Sequence, residues 1–148
     1  MPTPDGIAQL WNFSVAGSKR TSVSGRTPLS LYQILSSITA SGELGYLVAE
    51  RVWKETERAL GERSPDIYIQ TLRDCGALKA LFPEVDCLFG VPQRADFHPE
   101  IDTGIHTLMA LQQSVKLSDS SAIRFAVLVH DLGKGITPDH ILPSHSGH

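Results

Sequence analysis

The segment RFAVLVHDLGKG, residues 124–135, constrains the fold more than any other part of this 148-residue sequence. Its apolar run spans residues 125–129, resumes at Leu132 and is typical of a buried segment. The run is interrupted by the adjacent pair His130 and Asp131. Burying a carboxylate is costly unless a partner compensates its charge. The pair therefore requires a counter-charge, and a metal ion is one candidate.

Helical signals dominate the chain after its first quarter, and no alternating strand pattern is strong enough to assign. The stretch ERVWKETERAL has apolar and charged faces at helical spacing, and Gly61 follows it as a C-terminal cap. The stretch SPDIYIQTLRDCG opens with Ser64 and Pro65, which favour a helix start, and is expected to end at Gly76. The short helix in ALKALFPEV is predicted to stop at Pro83. The sequence therefore predicts an all-α fold, a helical bundle.

Two further helices are predicted near the end of the chain, in TGIHTLMALQQSV and in DSSAIRFAVLVHDL. The second opens with Asp119 or Ser120 as its cap and is expected to end at Gly133. It is apolar almost all round, so we expect it to lie centrally in the fold. In the first, core-type spacing predicts burial at five positions: Ile105, Leu108, Met109, Gln112 and Val115.

Three side chains on these two helices are candidate metal ligands: His106, His130 and Asp131. Two antiparallel helices joined by a short turn can bring such side chains to one spot near a bundle core. Imidazole and carboxylate suit a borderline or hard divalent cation, which can polarise a phosphoryl oxygen and activate water. The alternative is that they are ordinary hydrogen-bonded residues, and the residues alone leave both interpretations open.

Other residues near this motif are weaker candidates. Lys134 lies between two glycines and is predicted to neutralise phosphate charge, at a loop that a ligand can approach closely. His145 and His148 are candidates for a second metal or for orienting a substrate. His98 and His140 are expected to be structural or exposed, and neither is predicted to act.

The composition is that of an ordinary soluble globular protein, with 41% hydrophobic and 20% charged residues. The net charge of -3 does not indicate nucleic-acid binding, although a local basic face is compatible with it. Cys75 and Cys87 are expected to be reduced, partly buried thiols. No secretory signal or membrane span is evident, so we expect a cytoplasmic protein.

Composition also divides the chain into three parts. Residues 1–37 are rich in Ser, Thr, Gly and Pro and are predicted to be a poorly structured or unrelated arm. A proline-containing connection within residues 83–102 is predicted to hold a domain boundary. The boundary is placed so that residues 38–97 and residues 98–148 form separate helical parts.

Two stretches, HPEIDTGIHTLMAL and RFAVLVHDLGKG, resemble the HD phosphohydrolase superfamily, whose pattern is His, then His-Asp, then a later Asp. More specifically, about residues 38–148 resemble the bacterial multifunctional CCA protein family. In that family a tRNA nucleotidyltransferase is fused to a C-terminal HD domain. The stretches that carry this resemblance are ITASGEL, ERVWKETERAL, LRDCGALKALFPEVDCLFGVP and HPEIDTGIHT.

The resemblance implies roles for individual residues. His106 matches the first metal-binding histidine, His130 and Asp131 match the dyad that names the superfamily, and Lys134 matches the lysine of its loop. His145 and His148 fall where the family has a short His-rich stretch, which makes them second-metal or substrate candidates. The implied cofactor is a divalent ion (Mg²⁺, Mn²⁺ or Ni²⁺). The implied activities are phosphatase, 2'-nucleotidase and 2',3'-cyclic phosphodiesterase, and the helical region of residues 38–97 is implied to contact tRNA.

The sequence departs from the family pattern in two ways. The motifs of the nucleotidyltransferase head are absent. The last metal-binding Asp of the HD pattern is also absent from the sequence, whose final residue is His148. We therefore expect a fragment with an HD domain incomplete at its C-terminus, and weak or no activity in isolation. One alternative is a non-catalytic helical module that binds tRNA or a partner protein, and the other is a free-standing HD nucleotide phosphohydrolase. An incomplete domain also favours self-association, because it leaves apolar helix faces exposed.

Overall fold

The computed structural model describes residues 36–42, 44, 49–100, 102–138 and 140–142. Residues 36–41 are helical, and most of the predicted N-terminal arm, residues 1–35, lies outside the described residues. The remaining helices are α1 (Ala49–Leu60), α2 (Pro65–Asp74), α3 (Ala77–Leu81), α4 (Pro83–Asp86), α5 (Thr103–Leu117), α6 (Ser121–Val129) and a 3₁₀ helix (Leu132–Ile136). Strand-like pairing in these ranges is limited to an isolated bridge between Pro92 and Asp102. The predicted all-α class is confirmed.

The amphipathic pattern of α1 directs Thr56, Ala59 and Leu60 into the core. Thr56 donates its hydroxyl proton to the Val52 carbonyl (2.8 Å), so its oxygen accepts from the Tyr68 hydroxyl on α2 (2.7 Å). Burial raises the pKa of Tyr68, and the bond to Thr56 opposes that effect. The buried hydroxyl pair thus satisfies both polar groups where α1 and α2 meet.

Proline and glycine place the ends of the next helices. Helix α2 begins at Pro65 after Ser64, as predicted, although the Ser64 side chain makes no capping hydrogen bond. The turn after α2 contains Gly76 in the left-handed region, with φ of 77°. The short helix α3 ends at Leu81, before Pro83, as predicted, and Pro83 is then the first residue of a further short helix, α4. Proline suits that position, since the first helical N–H has no intrahelical partner.

The predicted core face of α5 is wrong at several positions. Ile105, Met109 and Gln112 are exposed, and Leu108 and Val115 are only partly buried. The buried positions are instead Thr103, Gly104, Thr107, Leu111 and Ser114. Small hydroxyl side chains can occupy this face because they bond to carbonyls of their own helix: Thr107 to Thr103 (2.9 Å) and Ser114 to Leu111 (2.6 Å).

Helix α6 also differs from its predicted form. It begins after the N-cap Ser120 but ends at Val129 rather than at Gly133, and the 3₁₀ helix follows. Its expected central position is only partly correct, because Ile123 is 52% exposed. Leu128 is buried, and so is Arg124, a charged residue that is 1% exposed.

Arg124 on α6 connects the end of α1 with the turn between α5 and α6. Its Nη1 donates to the carbonyls of Leu60 and Glu62 (2.7 Å each), just beyond the C-terminus of α1. Its Nε donates to the Ser118 carbonyl (3.0 Å) between α5 and α6. The guanidinium therefore satisfies carbonyls that the ends of these helices leave free.

One buried core draws on both predicted parts of the chain. Leu60, Ile69, Leu72 and Leu78 pack in the same cluster as Leu111 and Leu128. The boundary between residues 97 and 98 stays a prediction. Cys75 is buried and Cys87 exposed, and both are free thiols. The helices that the structure describes include none with the length and apolar character needed to cross a membrane.

Candidate metal centre

His130 lies directly after α6, where the helix ends. Its Nδ1 is 2.6 Å from the Val127 carbonyl oxygen. Because a carbonyl can only accept, Nδ1 carries a proton, and the neutral ring keeps its lone pair on Nε2. Nε2 lies 3.4 Å from Oδ2 of Asp131. The end of α6 thus places an imidazole nitrogen and a carboxylate side by side.

His106 lies in the first turns of α5, whose start is fixed by Asp102. One carboxylate oxygen of Asp102 accepts from the Ile105 N–H (2.8 Å) and the other from the Gly90 N–H (2.6 Å). The Nδ1 of His106 is 2.6 Å from Oε1 of Glu100. The ring centroids of His106 and His130 are 5.6 Å apart. The anchored helix start therefore brings His106 next to the end of α6.

His106, His130 and Asp131 converge, each offering one ligand atom within 4.8 Å of the others. Two imidazoles and a carboxylate form a donor set that suits a divalent cation. In both histidines the Nδ1 is bonded to an oxygen acceptor, the arrangement usual for metal-binding imidazoles. The three residues therefore fit such an ion, and their role as ligands stays a prediction.

Lys134 supplies a counter-charge for Asp131. Its Nζ is 2.8 Å from Oδ2 of Asp131, which is only 8% exposed. The same ammonium donates to Oε1 of Gln93 (2.7 Å), a buried side chain that the sequence did not single out. The sequence predicted that Lys134 neutralises the charge of a phosphate. In the structure its ammonium group contacts the carboxylate of Asp131 instead.

His98 and Glu100 extend the site beyond the residues predicted to act. Oε1 of Glu100 is 3.3 Å from Nδ1 of His98, and the rings of His98 and His106 meet edge-on with centroids 4.6 Å apart. His98, Glu100 and His106 form a second group whose ligand atoms lie within 4.8 Å of one another. The sequence signal that could have identified His98 and Glu100 is the stretch HPEID, residues 98–102, because its polar side chains directly precede the start of α5.

The charge of Glu100 is favoured by its surroundings. A hydrogen bond from its own backbone N–H holds the pKa of Glu100 below its ordinary value, against the opposing effect of partial burial. The hydrogen bond to His106 lowers this pKa further. Glu100 is therefore an ionised acceptor at neutral pH.

None of the remaining candidate histidines is part of this cluster among the residues that the structure describes. His140 is exposed, in agreement with the expectation that it is structural or exposed. His145 and His148 lie outside the described residues. Their predicted roles toward a second metal or a substrate stay predictions.

Two family models match the chain. The first is described as a probable RNA and SrmB-binding site of polymerase A and matches residues 38–88. The second is the HD domain and matches residues 103–148, the part that contains the clustered His106, His130 and Asp131. No solved structure gives a significant match to the chain.

Curated relatives agree with these two models. A multifunctional CCA protein of Psychromonas ingrahamii is 64% identical over 115 residues, which are 78% of this chain and 28% of the relative. A multifunctional CCA protein of Acinetobacter baumannii is 64% identical over 116 residues, with the same two shares. The chain thus spans about 28% of the length of these curated relatives. The expected resemblance is confirmed: this chain is a homologue of the multifunctional CCA proteins and carries the HD-domain sequence in residues 103–148.

Proposed function

We propose that residues 103–148 provide a metal-dependent phosphohydrolase site, in the lineage of phosphatases, 2'-nucleotidases and 2',3'-cyclic phosphodiesterases. The observation that carries this proposal is the convergence of His106, His130 and Asp131 within 4.8 Å. The HD-domain match over the same residues supports it.

The proposed roles follow from the atoms that each residue offers. His106 and His130 bind through Nε2, and Asp131 binds through its carboxylate. A divalent ion held there supplies Lewis acidity toward a phosphoryl oxygen and activates water. Lys134, now paired with Asp131 at 2.8 Å, is close enough to the site to stabilise the negative charge of a phosphate. Mg²⁺, Mn²⁺ and Ni²⁺ are the candidate ions.

Asp131→Asn tests this function. We expect its affinity for Mn²⁺ to fall by at least about 100-fold, because changes beside metal ligands already cost about 10- to 100-fold. Isothermal titration with Mn²⁺ measures the affinity, and release of inorganic phosphate from a nucleoside monophosphate measures hydrolysis.

The matched control is Asp119→Asn, which changes a fully exposed carboxylate at the other end of α6. It should bind Mn²⁺ as the wild type does. Urea unfolding of Asp131→Asn separates lost ligation from lost folding, since Asp131 also pairs with Lys134. Equal Mn²⁺ affinity in wild type and Asp131→Asn would show the proposed site to be wrong.

We also propose that the helices in residues 38–88 bind tRNA. The RNA-binding family model covers this segment, and the homologous multifunctional CCA proteins support tRNA as the partner. Exposed basic side chains are present on α1 to α3 and in the connection between α1 and α2: Lys54, Arg58, Arg63, Arg73 and Lys79. Such a surface can contact phosphates although the net charge of the whole chain is -3.

Salt dependence tests the binding of tRNA. We expect log affinity to fall linearly with log salt concentration, because each neutralised phosphate releases counterions. Filter binding with and without a chelator measures this, and Asp131→Asn should bind tRNA as tightly as the wild type. Binding that is insensitive to salt, or that requires metal, contradicts an independent RNA-contacting surface.

A further inference from the structure

Glu100 lies between two histidines immediately before α5. Its Oε1 is 2.6 Å from Nδ1 of His106 and 3.3 Å from Nδ1 of His98. The Glu100 side chain is only 10% exposed, so water competes little for this oxygen. The shorter distance identifies His106 as the principal partner.

This contact determines which nitrogen of His106 carries the proton. An ionised carboxylate can only accept a hydrogen bond, so Nδ1 must be the donor. The neutral ring then has its lone pair on Nε2. Without Glu100, either nitrogen can hold the proton, and the ring loses the contact that restrains its rotation.

His130 reaches the same state by a different contact. Its Nδ1 donates to the Val127 carbonyl, which belongs to its own helix. His106 has its partner six residues earlier in the chain, in the segment before α5. In their neutral form the two rings, 5.6 Å apart, therefore both carry the proton on Nδ1, but only His106 depends on a side chain for this.

We propose that Glu100 is a positioning residue for His106. It fixes the ring orientation and the Nδ1–H tautomer, so that Nε2 of His106 is available to a cation together with His130 and Asp131. The proposal rests on the metal site proposed above. Its first consequence, the tautomer of His106, is present in the metal-free protein and can be measured there.

His98 has a secondary part in this arrangement. Its ring meets that of His106 edge-on, with an angle of 80° between the planes, and its Nδ1 lies farther from Glu100 than that of His106 does. His98 therefore packs against the ring of His106, and His106 makes the shorter and stronger hydrogen bond to Glu100. A different arrangement, in which His98 and Glu100 themselves bind the cation, makes a distinct prediction for substitution of His98.

Nitrogen NMR of the histidine rings in metal-free protein is the first measurement. The wild type should show His106 as the Nδ1–H tautomer. Glu100→Ala should convert it to a mixture or to the Nε2–H tautomer, whereas Glu100→Gln should keep the wild-type state because its amide oxygen still accepts. A purely structural role for Glu100 would leave the tautomer unchanged in Glu100→Ala.

Mn²⁺ affinity is the second measurement. Glu100→Ala should weaken binding by about 10- to 100-fold, and Glu100→Gln should recover most of the loss. The control is Glu84→Ala, which removes an exposed carboxylate on α4 and should change the affinity by less than about threefold. His98→Ala is a comparison and not a control: it should weaken binding less than Glu100→Ala does, because His98 contacts His106 only through its ring.

Several outcomes overturn the proposal. An unchanged His106 tautomer in Glu100→Ala removes its basis. A loss of affinity in His98→Ala as large as that in Glu100→Ala shows that both residues are ligands instead. A wild type that binds no Mn²⁺ refutes the proposed function, while the tautomer shift then still reports whether Glu100 orients His106.

Discussion

Arg124→Met is expected to lower the free energy of unfolding by about 3 to 5 kcal/mol, a large share of the roughly 5 to 15 kcal/mol typical of a domain. The change keeps most of the apolar stem but removes every donor. The Leu60 and Glu62 carbonyls, each 2.7 Å from Nη1, then lose their partner. The bond to the Leu60 carbonyl is buried and the bond to the Glu62 carbonyl partly buried, and a buried carbonyl left without a donor costs about 1 to 3 kcal/mol.

The ion pair of Arg124 contributes little to this expected loss. Its ionic partner among the described residues is Asp119, which is fully exposed and 3.5 Å away. Water and salt screen such a pair, so the hydrogen bonds to carbonyls dominate. The positive charge also lies just beyond the C-terminus of α1, where the helix dipole favours it.

Urea unfolding measures this loss of unfolding free energy as a shift of the midpoint, provided that the m-value is the same in both proteins. Asp119→Asn should leave the unfolding midpoint unchanged, because it removes only the screened pair. Arg124→Lys should fall between Arg124→Met and wild type, since one ammonium cannot reproduce the planar set of donors. A midpoint for Arg124→Met close to that of the wild type would disprove the bridging role.

Gly104→Ala should destabilise the fold by about 3 kcal/mol, at the upper end of the usual cost of overpacking. A β-carbon at Gly104 would overlap the ring atoms Cγ and Cδ1 of Phe89 and lie 2.8 Å from its Cα. The overlap with the backbone cannot be relieved by rotating a side chain. The Gly104 N–H also donates to the Leu88 carbonyl at 3.0 Å, so the helix start cannot move away freely.

The same change should weaken the candidate metal site, because His106 lies two residues beyond Gly104 on α5. Thermal or urea unfolding and Mn²⁺ titration measure the two effects separately. Gly61→Ala is the matched control, since its β-carbon would meet nothing closer than the Arg58 carbonyl at 3.3 Å. Gly104→Ala should cost less in a Phe89→Ala background than in the wild type, because the ring overlap disappears while the overlap with the backbone of residue 89 persists.

If Gly104→Ala is as stable as Gly61→Ala, the close packing of α5 against the segment before it is wrong. If stability falls but Mn²⁺ affinity does not, the position of His106 does not depend on this packing. The two measurements therefore test the fold and its link to the site independently.

Local signals predicted most helices but not every face. Pro65 placed the start of α2 correctly and Gly76 placed its end, at Asp74, to within two residues, because proline and glycine act on the backbone of their own segment. Apolar spacing misplaced the buried face of α5, where Thr107 and Ser114 are inside and Met109 is outside. Periodicity counts apolar residues and takes no account of hydroxyls that bond within their own helix.

The sequence by itself determined the all-α class, the helical segments and the homology to multifunctional CCA proteins, and it singled out His106, His130 and Asp131. These features depend on local backbone preferences and on motifs within short segments. Only the tertiary structure decided that Arg124 is buried against the carbonyls at the end of α1, that Lys134 donates to Gln93, and that the ring of His106 lies beside that of His130. Such contacts join segments that the packing of several helices brings together, and hydrogen bonds between them have no signature in either segment alone.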